Sequence, residues 1–361
     1  MSSTHQAAVL PGKGEHLIVQ DVETPKPGPR ELLISVHAIA LNPVDFFMRD
    51  LGFMVTAYPA ILGSDIAGTV EALGSDIPAS SPFKPGAHVL GFAPAFVQGG
   101  KPKYGGFQKK VVLPIEWACP IPPTLPFTSA ATLPMAVLTA WTGFTTIGIP
   151  MTTTSLYSTP HEGDSGSEGA KPGLLVWGAS SSVGMSAIQV ATHLGFPAIY
   201  ATSRPQHHAQ LLALGAARAF DYTSADVVEE IIAAANSDTV ALTTAYRAIG
   251  DLQPVVDVVA TFGGGKVASA PQVNENTSQH ETVKVKFVMG PQEPTAVARH
   301  LEFVLHEWLA PRLQAGTFVP APKARVVDGG LGAVDAALDI LKGGVSGEKL
   351  VLEVVERDAR R

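Results

Sequence analysis

The stretch Leu174-Leu175-Val176-Trp177-Gly178-Ala179-Ser180-Ser181-Ser182-Val183-Gly184 decides the fold class of this chain. An apolar run passes into small residues and then into a segment with one apolar helical face, which ends before Gly195. This order predicts a strand, a tight turn and a helix. The N-terminus of such a helix presents unpaired N–H groups and a positive dipole end, which suit a pyrophosphate. The match to G-x-G-x-x-G is loose, so an ordinary strand-to-helix turn stays open from this stretch alone.

The pattern on both sides of the turn alternates between strand and helix. Strands are predicted over residues 174–177, 198–202, 219–222 and 239–248, with a further strand after the glycines at 263–265. Helices are predicted over residues 130–144, 183–194, 205–214, 227–235 and 252–262. Such alternation is typical of an α/β fold whose doubly wound parallel sheet has right-handed crossovers.

The rest of the chain follows other patterns. Residues 1–125 carry short β-branched runs between Gly and Pro, which predicts an all-β region. Residues 151–171 are rich in Ser, Thr and Gly and predict a mobile surface loop. Amphipathic helices are predicted over residues 294–314 and 331–341.

Composition narrows the class of protein. The chain has 361 residues, of which 46% are hydrophobic and 16% charged, and this predicts two well-packed globular domains. The net charge of −7 comes without a Lys/Arg block, which argues against nucleic-acid and anionic-membrane partners. No signal peptide or membrane span is evident, so a cytoplasmic protein is expected. The single cysteine, Cys119, excludes internal disulfides and multi-thiolate metal sites.

The second predicted strand bears on the choice of cofactor. It ends at Ser203 and Arg204, about where an acidic residue would hold a ribose 2′-hydroxyl. A hydroxyl and a guanidinium suit a 2′-phosphate instead, so NADPH is favoured. His207 and His208 could assist or simply face solvent. Tyr222, at the end of the third strand, could lie beside the adenosine or only pack there.

Several motifs together resemble the zinc-free branch of the medium-chain dehydrogenase/reductase superfamily, the quinone oxidoreductase and enoyl reductase group. The resemblance covers nearly the whole chain, and residues 180–183 also look like fungal members that include trans-acting enoyl reductases of polyketide pathways. Besides the turn at residues 178–184, the motifs are Leu41-Asn42-Pro43-Val44-Asp45, Gly63-Ser64-Asp65-Ile66-Ala67-Gly68, Gly105-Gly106-Phe107 with Val111-Val112, Pro134 to Thr142, Leu214-Gly215-Ala216 and Gly347-Glu348-Lys349-Leu350-Val351.

The resemblance implies a domain plan and a set of site residues. A GroES-like β domain would occupy residues 1–125, a Rossmann domain residues 126–290, and residues 291–361 would pack back onto the β domain, with the active site in the cleft. The residues expected to touch the cofactor NADPH are Val44, Asp45, Gly178, Ser180, Ser181, Ser182, Val183, Gly184, Ser203, Arg204, Tyr222, Ile249, Leu350 and Val351. Those expected on the substrate side are Met135, Thr139, Thr142, Phe287, Met289 and Gly290.

The departures from zinc-dependent relatives also carry information. Those relatives place a cysteine near the Asn42–Asp45 loop and a His-Glu pair in the glycine motif, which here reads Gly63-Ser64-Asp65. No zinc is therefore expected. Tyr58 is a candidate proton donor, with water as the alternative. Asp45 is a candidate catalytic residue, although a buried Asp can also simply bond backbone amides.

These features predict an NADPH-dependent oxidoreductase that delivers hydride to an α,β-unsaturated carbonyl, as in enoyl reduction, or to a quinone. One alternative is a trans-acting enoyl reductase that partners a polyketide synthase and takes carrier-bound acyl chains. Another is a dinucleotide-binding protein that has lost turnover. Either a monomer or a homodimer fits the sequence.

Overall fold

The chain, seen in a computed structural model, folds as two compact units. A terminal unit comprises residues 1–135 and 298–361, and a central unit comprises residues 136–297. The structure describes residues 3–93, 95–157, 169–273 and 280–354. The first cut lies beyond the expected position after residue 125, because the segment that follows bonds to the terminal unit: the Met135 N–H donates to Asp65 Oδ1 at 2.8 Å.

The described residues form the following strands and helices, in chain order. The strands are β1 Thr4–Leu10, β2 Ile18–Glu23, β3 Glu31–Ala40, β4 Ala60–Ile61, β5 Asp65–Leu73, β6 His88–Phe92, β7 Lys110–Pro114, β8 Ala118–Pro120, β9 Lys171–Trp177, β10 Ala198–Ser203, β11 Arg218–Asp221, β12 Val240–Arg247, β13 Gly265–Ser269, β14 Val283–Phe287, β15 Lys323–Val327 and β16 Glu348–Glu353. The helices are α1 Pro43–Leu51, α2 Phe127–Ala130, α3 Pro134–Thr146, α4 Ser182–Leu194, α5 His208–Ala213, α6 Val227–Asp238, α7 Gln253–Thr261, α8 Pro294–Glu302, α9 Ala310–Ala315 and α10 Val334–Lys342.

The central unit is built on one parallel sheet. Its described strands run in the order β11-β10-β9-β12-β13-β14, and each neighbouring pair is parallel. Counted from β9, this is the order 3-2-1-4-5-6 of a dinucleotide-binding doubly wound sheet. Apolar residues of β9, β10 and β12 pack with α6 and α7 into a buried core. The predicted α/β fold with a doubly wound sheet is confirmed.

The terminal unit is mainly antiparallel. A sheet in the order β15-β16-β3-β5-β6-β8, with β7 also paired to β3, lies with a smaller sheet in the order β2-β1-β4. The late strand β16 pairs antiparallel with the early strand β3, so chain segments far apart in sequence share one sheet. Buried residues from both segments form one core.

Three helical details differ from the sequence prediction. α1 was not expected, although Asn42 is a good N-cap and Pro43 fits the first helical position. The helix expected over 130–144 is divided into α2 and α3, with Pro134 beginning the second. α8 and α9 are joined by a π-helical segment, Phe303–Leu309, so residues 294–315 are helical throughout.

Residues 151–171 were predicted to form a mobile loop, but residues 156 and 157 of this segment pack against the rest of the central unit. The Leu156 and Tyr157 amides both donate to the Leu194 carbonyl, and the Tyr157 ring lies 4.3 Å from that of Phe196. Residues 158–168 of the predicted loop lie outside the described residues. Of the described helices, none has the length and apolar character needed to cross a bilayer.

Candidate functional site

The glycine-containing turn joins β9 to α4. Gly178 has φ of +72°, and a Cβ there would lie 2.5 Å from Cγ2 of Ile249. A Cβ on Gly184 would lie 2.6 Å from the Cα of Ala179. Both positions therefore require glycine, because each backbone is in close contact with its neighbour. The turn stands where β10 leaves to one side of β9 and β12 to the other, which is the switch point where doubly wound sheets bind ligands.

Hydrogen bonds hold this turn in shape. Ser181 is the N-cap of α4, and its hydroxyl accepts from the Gly184 N–H at 3.1 Å and donates to the Gly178 carbonyl at 2.8 Å. The Gly178 N–H donates to the Thr202 hydroxyl on β10 at 3.1 Å. Residues 180–183 remain partly exposed, so the Ser182 and Val183 amides at the start of α4 can meet an anion, whereas the Gly184 amide is bonded to Ser181. The residues present fit a dinucleotide pyrophosphate.

The ends of β10 and β11 would meet the adenosine side. Arg204 is exposed, whereas Ser203 is fully buried and its hydroxyl donates to the Arg204 carbonyl at 3.0 Å. The Ser203 hydroxyl is thus already engaged with the backbone. Tyr222 is 40% exposed and Ile249 is 58% exposed, so both side chains are available to a ligand.

One acidic residue in this region escaped the sequence analysis. Asp221 ends β11 directly opposite Ser203. Hydrogen bonds from Thr223, first from its backbone N–H and then from its hydroxyl, lower the pKa of Asp221, and the nearby charges of His208 and Arg204 lower it further. Register across β10 and β11, which places their ends side by side, was the signal that could have found it.

Asp45 is a carboxyl of the terminal unit that is both buried and only partly hydrogen-bonded. It is completely buried in the first turn of α1, where Oδ2 accepts the Asn42 N–H at 2.8 Å. Its Oδ1 and the Ser64 hydroxyl are both buried without a hydrogen-bond partner of acceptable geometry. Burial raises the pKa of Asp45 to about 7. The carboxyl can therefore carry a proton near neutral pH.

Tyr58 and Asp45, the two candidate catalytic residues, are not brought together. Tyr58 lies against the other end of α1, where a Cβ added to Gly52 would meet its hydroxyl at 2.9 Å. Gly52 follows the last residue of α1, whereas Asp45 is in its first turn, roughly 10 Å away at 1.5 Å per residue. The Tyr58 hydroxyl therefore lies at the C-terminal end of α1 and the Asp45 carboxyl at its N-terminal end.

The remaining expected site residues differ in exposure. Val44 is partly exposed, whereas Leu350 and Val351 are fully buried in β16, so neither of their side chains faces solvent. Met135 and Thr139 lie one turn apart on α3 and are partly exposed. The Thr142 hydroxyl is buried and donates a hydrogen bond to the Leu138 carbonyl at 2.7 Å. Phe287 ends β14, and Met289 and Gly290 follow it exposed.

The comparison with known proteins decides the family. Residues 28–123 match the alcohol dehydrogenase GroES-like domain. The chain is 43% identical to the trans-enoyl reductase tndF of Aspergillus flavipes over 98% of this chain and 99% of that protein. It is also 42% identical to the trans-enoyl reductase tazE of Aspergillus terreus over 80% and 92%. The chain belongs to the medium-chain dehydrogenase/reductase superfamily.

Solved structures agree on the fold. An alcohol dehydrogenase superfamily protein from Novosphingobium aromaticivorans has a TM-score of 0.76 at 22% identity, covering 98% of this chain and all of that one. The quinone oxidoreductase of Coxiella burnetii has a TM-score of 0.69 at 22% identity, with 98% and 100% covered. Membership of this superfamily implies an oxidoreductase with a nicotinamide dinucleotide cofactor. The resemblance to fungal trans-enoyl reductases, drawn from the sequence, is confirmed.

Zinc-dependent members of the superfamily use cysteine, histidine and acidic ligands near the motifs discussed above. Across the described ranges, no group of three or more His, Cys, Asp or Glu side chains is arranged to hold a metal ion. Cys119 is fully buried in β8, and burial raises the pKa of its thiol, which keeps it protonated.

The sequence analysis also missed a buried ion pair between two of the superfamily motifs. Lys349 Nζ lies 2.6 Å from Asp65 Oδ2, and both side chains are buried. Asp65 belongs to the Gly63–Gly68 motif and Lys349 to the Gly347–Val351 motif. Neither motif by itself indicates that the two meet, because that contact depends on β16 joining the sheet of β3 and β5.

Proposed function

We propose that the chain is an NADPH-dependent reductase that delivers hydride to the β-carbon of an α,β-unsaturated carbonyl compound, without a metal ion. The observation that carries the proposal is the cradle at residues 178–184, which stands at the switch point of the parallel sheet with the exposed Arg204 at the end of the next strand. A quinone is the alternative acceptor.

The preference for NADPH rests on charge. The exposed guanidinium of Arg204 suits the dianionic 2′-phosphate of NADPH, and Tyr222 offers a ring beside it. Asp221, one strand away, opposes this preference. Both hydrogen bonds from Thr223 fall on its Oδ1, and the carboxylate lies at the end of the third strand of the sheet and not of the second, after which a ribose-binding acid is expected. We therefore assign the phosphate to Arg204.

The chemical step requires few catalytic groups from the protein. Bound NADPH would supply the hydride, while the chain orients the reactants and stabilises the developing negative charge. Met135 in the terminal unit and Thr139 and Met289 in the central unit each have an accessible side chain, and we assign these residues to the substrate. Tyr58, whose side chain is 38% exposed at the C-terminal end of α1, is one candidate proton donor, and water is the other.

A trans-acting role gives a more specific form of the proposal. Two relatives that align with most of this chain are named trans-enoyl reductases, at 43% and 42% identity. By analogy, the substrate would be an enoyl chain attached as a thioester to the carrier domain of a polyketide synthase. A free enone and a carrier-bound enoyl thioester contain the same reacting atoms, so the chemistry above serves both.

An activity panel tests the proposal. NADPH oxidation would be followed with an enoyl N-acetylcysteamine thioester, a simple enone, a quinone and an enoyl chain on a carrier protein. We expect reduction of the carbon–carbon double bond of the enoyl group. The KM should be lower for the enoyl chain on the carrier protein than for the N-acetylcysteamine thioester. Tight NADPH binding without oxidation in any reaction would favour the silent dinucleotide-binding alternative.

A further inference from the structure

The buried ion pair of the terminal unit is more than a pairwise contact. Lys349 Nζ also lies 3.0 Å from Asn42 Oδ1 and 3.2 Å from the Thr132 carbonyl. Its side chain is 4% exposed and that of Asp65 is fully buried. An ammonium group has three N–H donors, so all of them have an oxygen acceptor here.

Asp65 is equally well bonded. Its Oδ2 accepts from Lys349 and from Asn42 Nδ2, the latter at 3.0 Å, and its Oδ1 accepts the Met135 backbone N–H at 2.8 Å. The buried positive charge of Lys349 and the buried negative charge of Asp65 therefore each have a charged partner and further hydrogen bonds. Removing one partner from such a pair leaves an uncompensated charge, which is strongly destabilising.

The positions of these partners indicate a role beyond stability. Asn42 directly precedes Pro43 and Val44 at the start of α1, and its N–H is bonded to Asp45. Thr132 and Met135 flank the start of α3, which carries the proposed substrate residues. Lys349 precedes Leu350, whose carbonyl accepts the Leu41 N–H at 3.0 Å. One ammonium and one carboxylate thus join three segments of this unit that hold proposed site residues.

We propose that Asp65 and Lys349 are positioning residues, and that the Lys349 ammonium is a fixed internal cation that holds the Asn42–Asp45, Thr132–Met135 and Lys349–Val351 segments in register. The kinetic consequence rests on the proposed reductase function. The geometric consequence does not, because it concerns only the order of these segments.

A neutral double variant separates positioning from stability. Lys349→Met alone leaves Asp65 charged and buried, so the melting temperature should fall. Lys349→Met with Asp65→Asn removes both charges, and we expect the melting temperature to recover most of that fall. The link from β16 to Asn42 and Thr132 is still missing, so kcat/KM for an enoyl thioester should stay at least tenfold below the wild type. Backbone amide exchange should also be faster in residues 42–46 and 132–136.

A surface pair is the control. Lys110→Met with Glu71→Gln removes a partly exposed ion pair of the same unit, whose atoms lie 2.6 Å apart, and should leave rate and exchange unchanged. Asn42→Ala keeps the ion pair and removes only its links to the start of α1, so it is the milder variant for the case in which the double variant does not fold. It should show smaller changes in the same direction. Recovery of rate and exchange together with stability in the double variant would overturn the proposal, as would wild-type values in Asn42→Ala. If the wild type reduces none of the acceptors, the proposed function fails, and amide exchange still decides the positioning role.

Discussion

At the scale of single residues, Asp45 shows how burial changes a carboxyl group. Its Oδ2 is bonded to the Asn42 N–H, but Oδ1 has no partner, and the negative charge of Asp65 is nearby. Burial, the largest cause, and this like charge raise the pKa, while the backbone hydrogen bond opposes them. Below about pH 7, the neutral acid is therefore the main form of Asp45 in the folded protein.

Asp45→Asn should make stability less dependent on pH. The folded state raises the pKa of Asp45 from 3.8 to about 7, so between these values the folded protein binds the proton more tightly than the unfolded chain. Wild-type stability should therefore fall as pH rises through that window, by roughly 1.4 kcal/mol for each step of one in pH. The neutral Asn isostere lacks this loss. In urea unfolding, the variant should match the wild type near pH 4 and exceed it at pH 8; an equal deficit at both values would show that Asp45 is ionised in the fold.

Arg204→Ala should raise the dissociation constant of NADPH about ten- to a hundredfold, because one partly exposed charge-assisted contact is worth roughly 1.5–3 kcal/mol. The constant for NADH should change little. Asp221→Asn should act in the opposite direction and tighten NADPH, since it removes a negative charge near Arg204. Arg325→Ala, at an exposed position of β15, is the control. Equal weakening of both cofactors by Arg204→Ala would show that Arg204 does not recognise the phosphate.

At this scale, the sequence predicted site residues only from their chemical type and their position in a local motif. It singled out Ser203 from its hydroxyl and position, but burial and the Arg204 carbonyl engage that hydroxyl. It did not find Asp221 or Lys349, because each acquires its role from a strand pairing distant in sequence. Such contacts depend on topology, which a local pattern does not contain.

At the scale of elements, the strand–turn–helix unit was the most predictable part of the chain. Its apolar strand, small residues and amphipathic helix all indicate the same local structure, and the observed strand and helix bounds lie close to the predicted ones. α1 was missed because the motif Asn42-Pro43 was interpreted through its family resemblance and not through its capping chemistry. A helix or strand is predicted well when all its local sequence signals agree, and it is missed when its residues are assigned to a different role.

Gly184→Ala should disrupt the dinucleotide cradle. The added Cβ would lie 2.6 Å from the Ala179 Cα, a backbone atom, so the turn must shift. We expect a stability loss of about 1–3 kcal/mol, as for other overpacked sites, and NADPH affinity weakened by at least about tenfold, or ~1.4 kcal/mol. Calorimetric titration and thermal unfolding would measure these effects. The control is Gly332→Ala, whose Cβ would meet nothing within 4 Å; unchanged NADPH affinity in Gly184→Ala would argue against the cradle.

Tyr157→Ala should lower the melting temperature, although residues 151–171 were predicted to form a mobile surface loop. Its ring packs on Phe196, and such an aromatic pair contributes about 0.5–1.5 kcal/mol beyond buried area. Tyr157→Phe keeps the ring and should behave as wild type. A melting temperature unaffected by the Ala substitution would instead support a loop whose packing contributes nothing to stability.

At the scale of the whole molecule, the fold class followed from the sequence, whereas the two compact units depend on contacts between segments distant in the chain. The alternation of strands and helices indicates a parallel sheet, because only crossover helices connect such strands compactly. Residues up to 135 group with the terminal unit because α2 packs against β3 and β5 and the Met135 amide bonds to Asp65, contacts that no change in composition marks. The inclusion of residues 298–361 in the terminal unit likewise depends on the pairing of β16 with β3.

The central claim is that this chain uses NADPH to reduce a conjugated carbon–carbon double bond. The most direct measurement supplies NADPH with deuterium at both hydrogen positions of C4 and an enoyl thioester, and locates the deuterium in the product by mass spectrometry and NMR. We predict one deuterium at the β-carbon, with NADPH preferred over NADH and no loss of rate after dialysis against a chelator. Deuterium on the carbonyl carbon, or a rate that disappears with the chelator and returns with zinc, would contradict this claim.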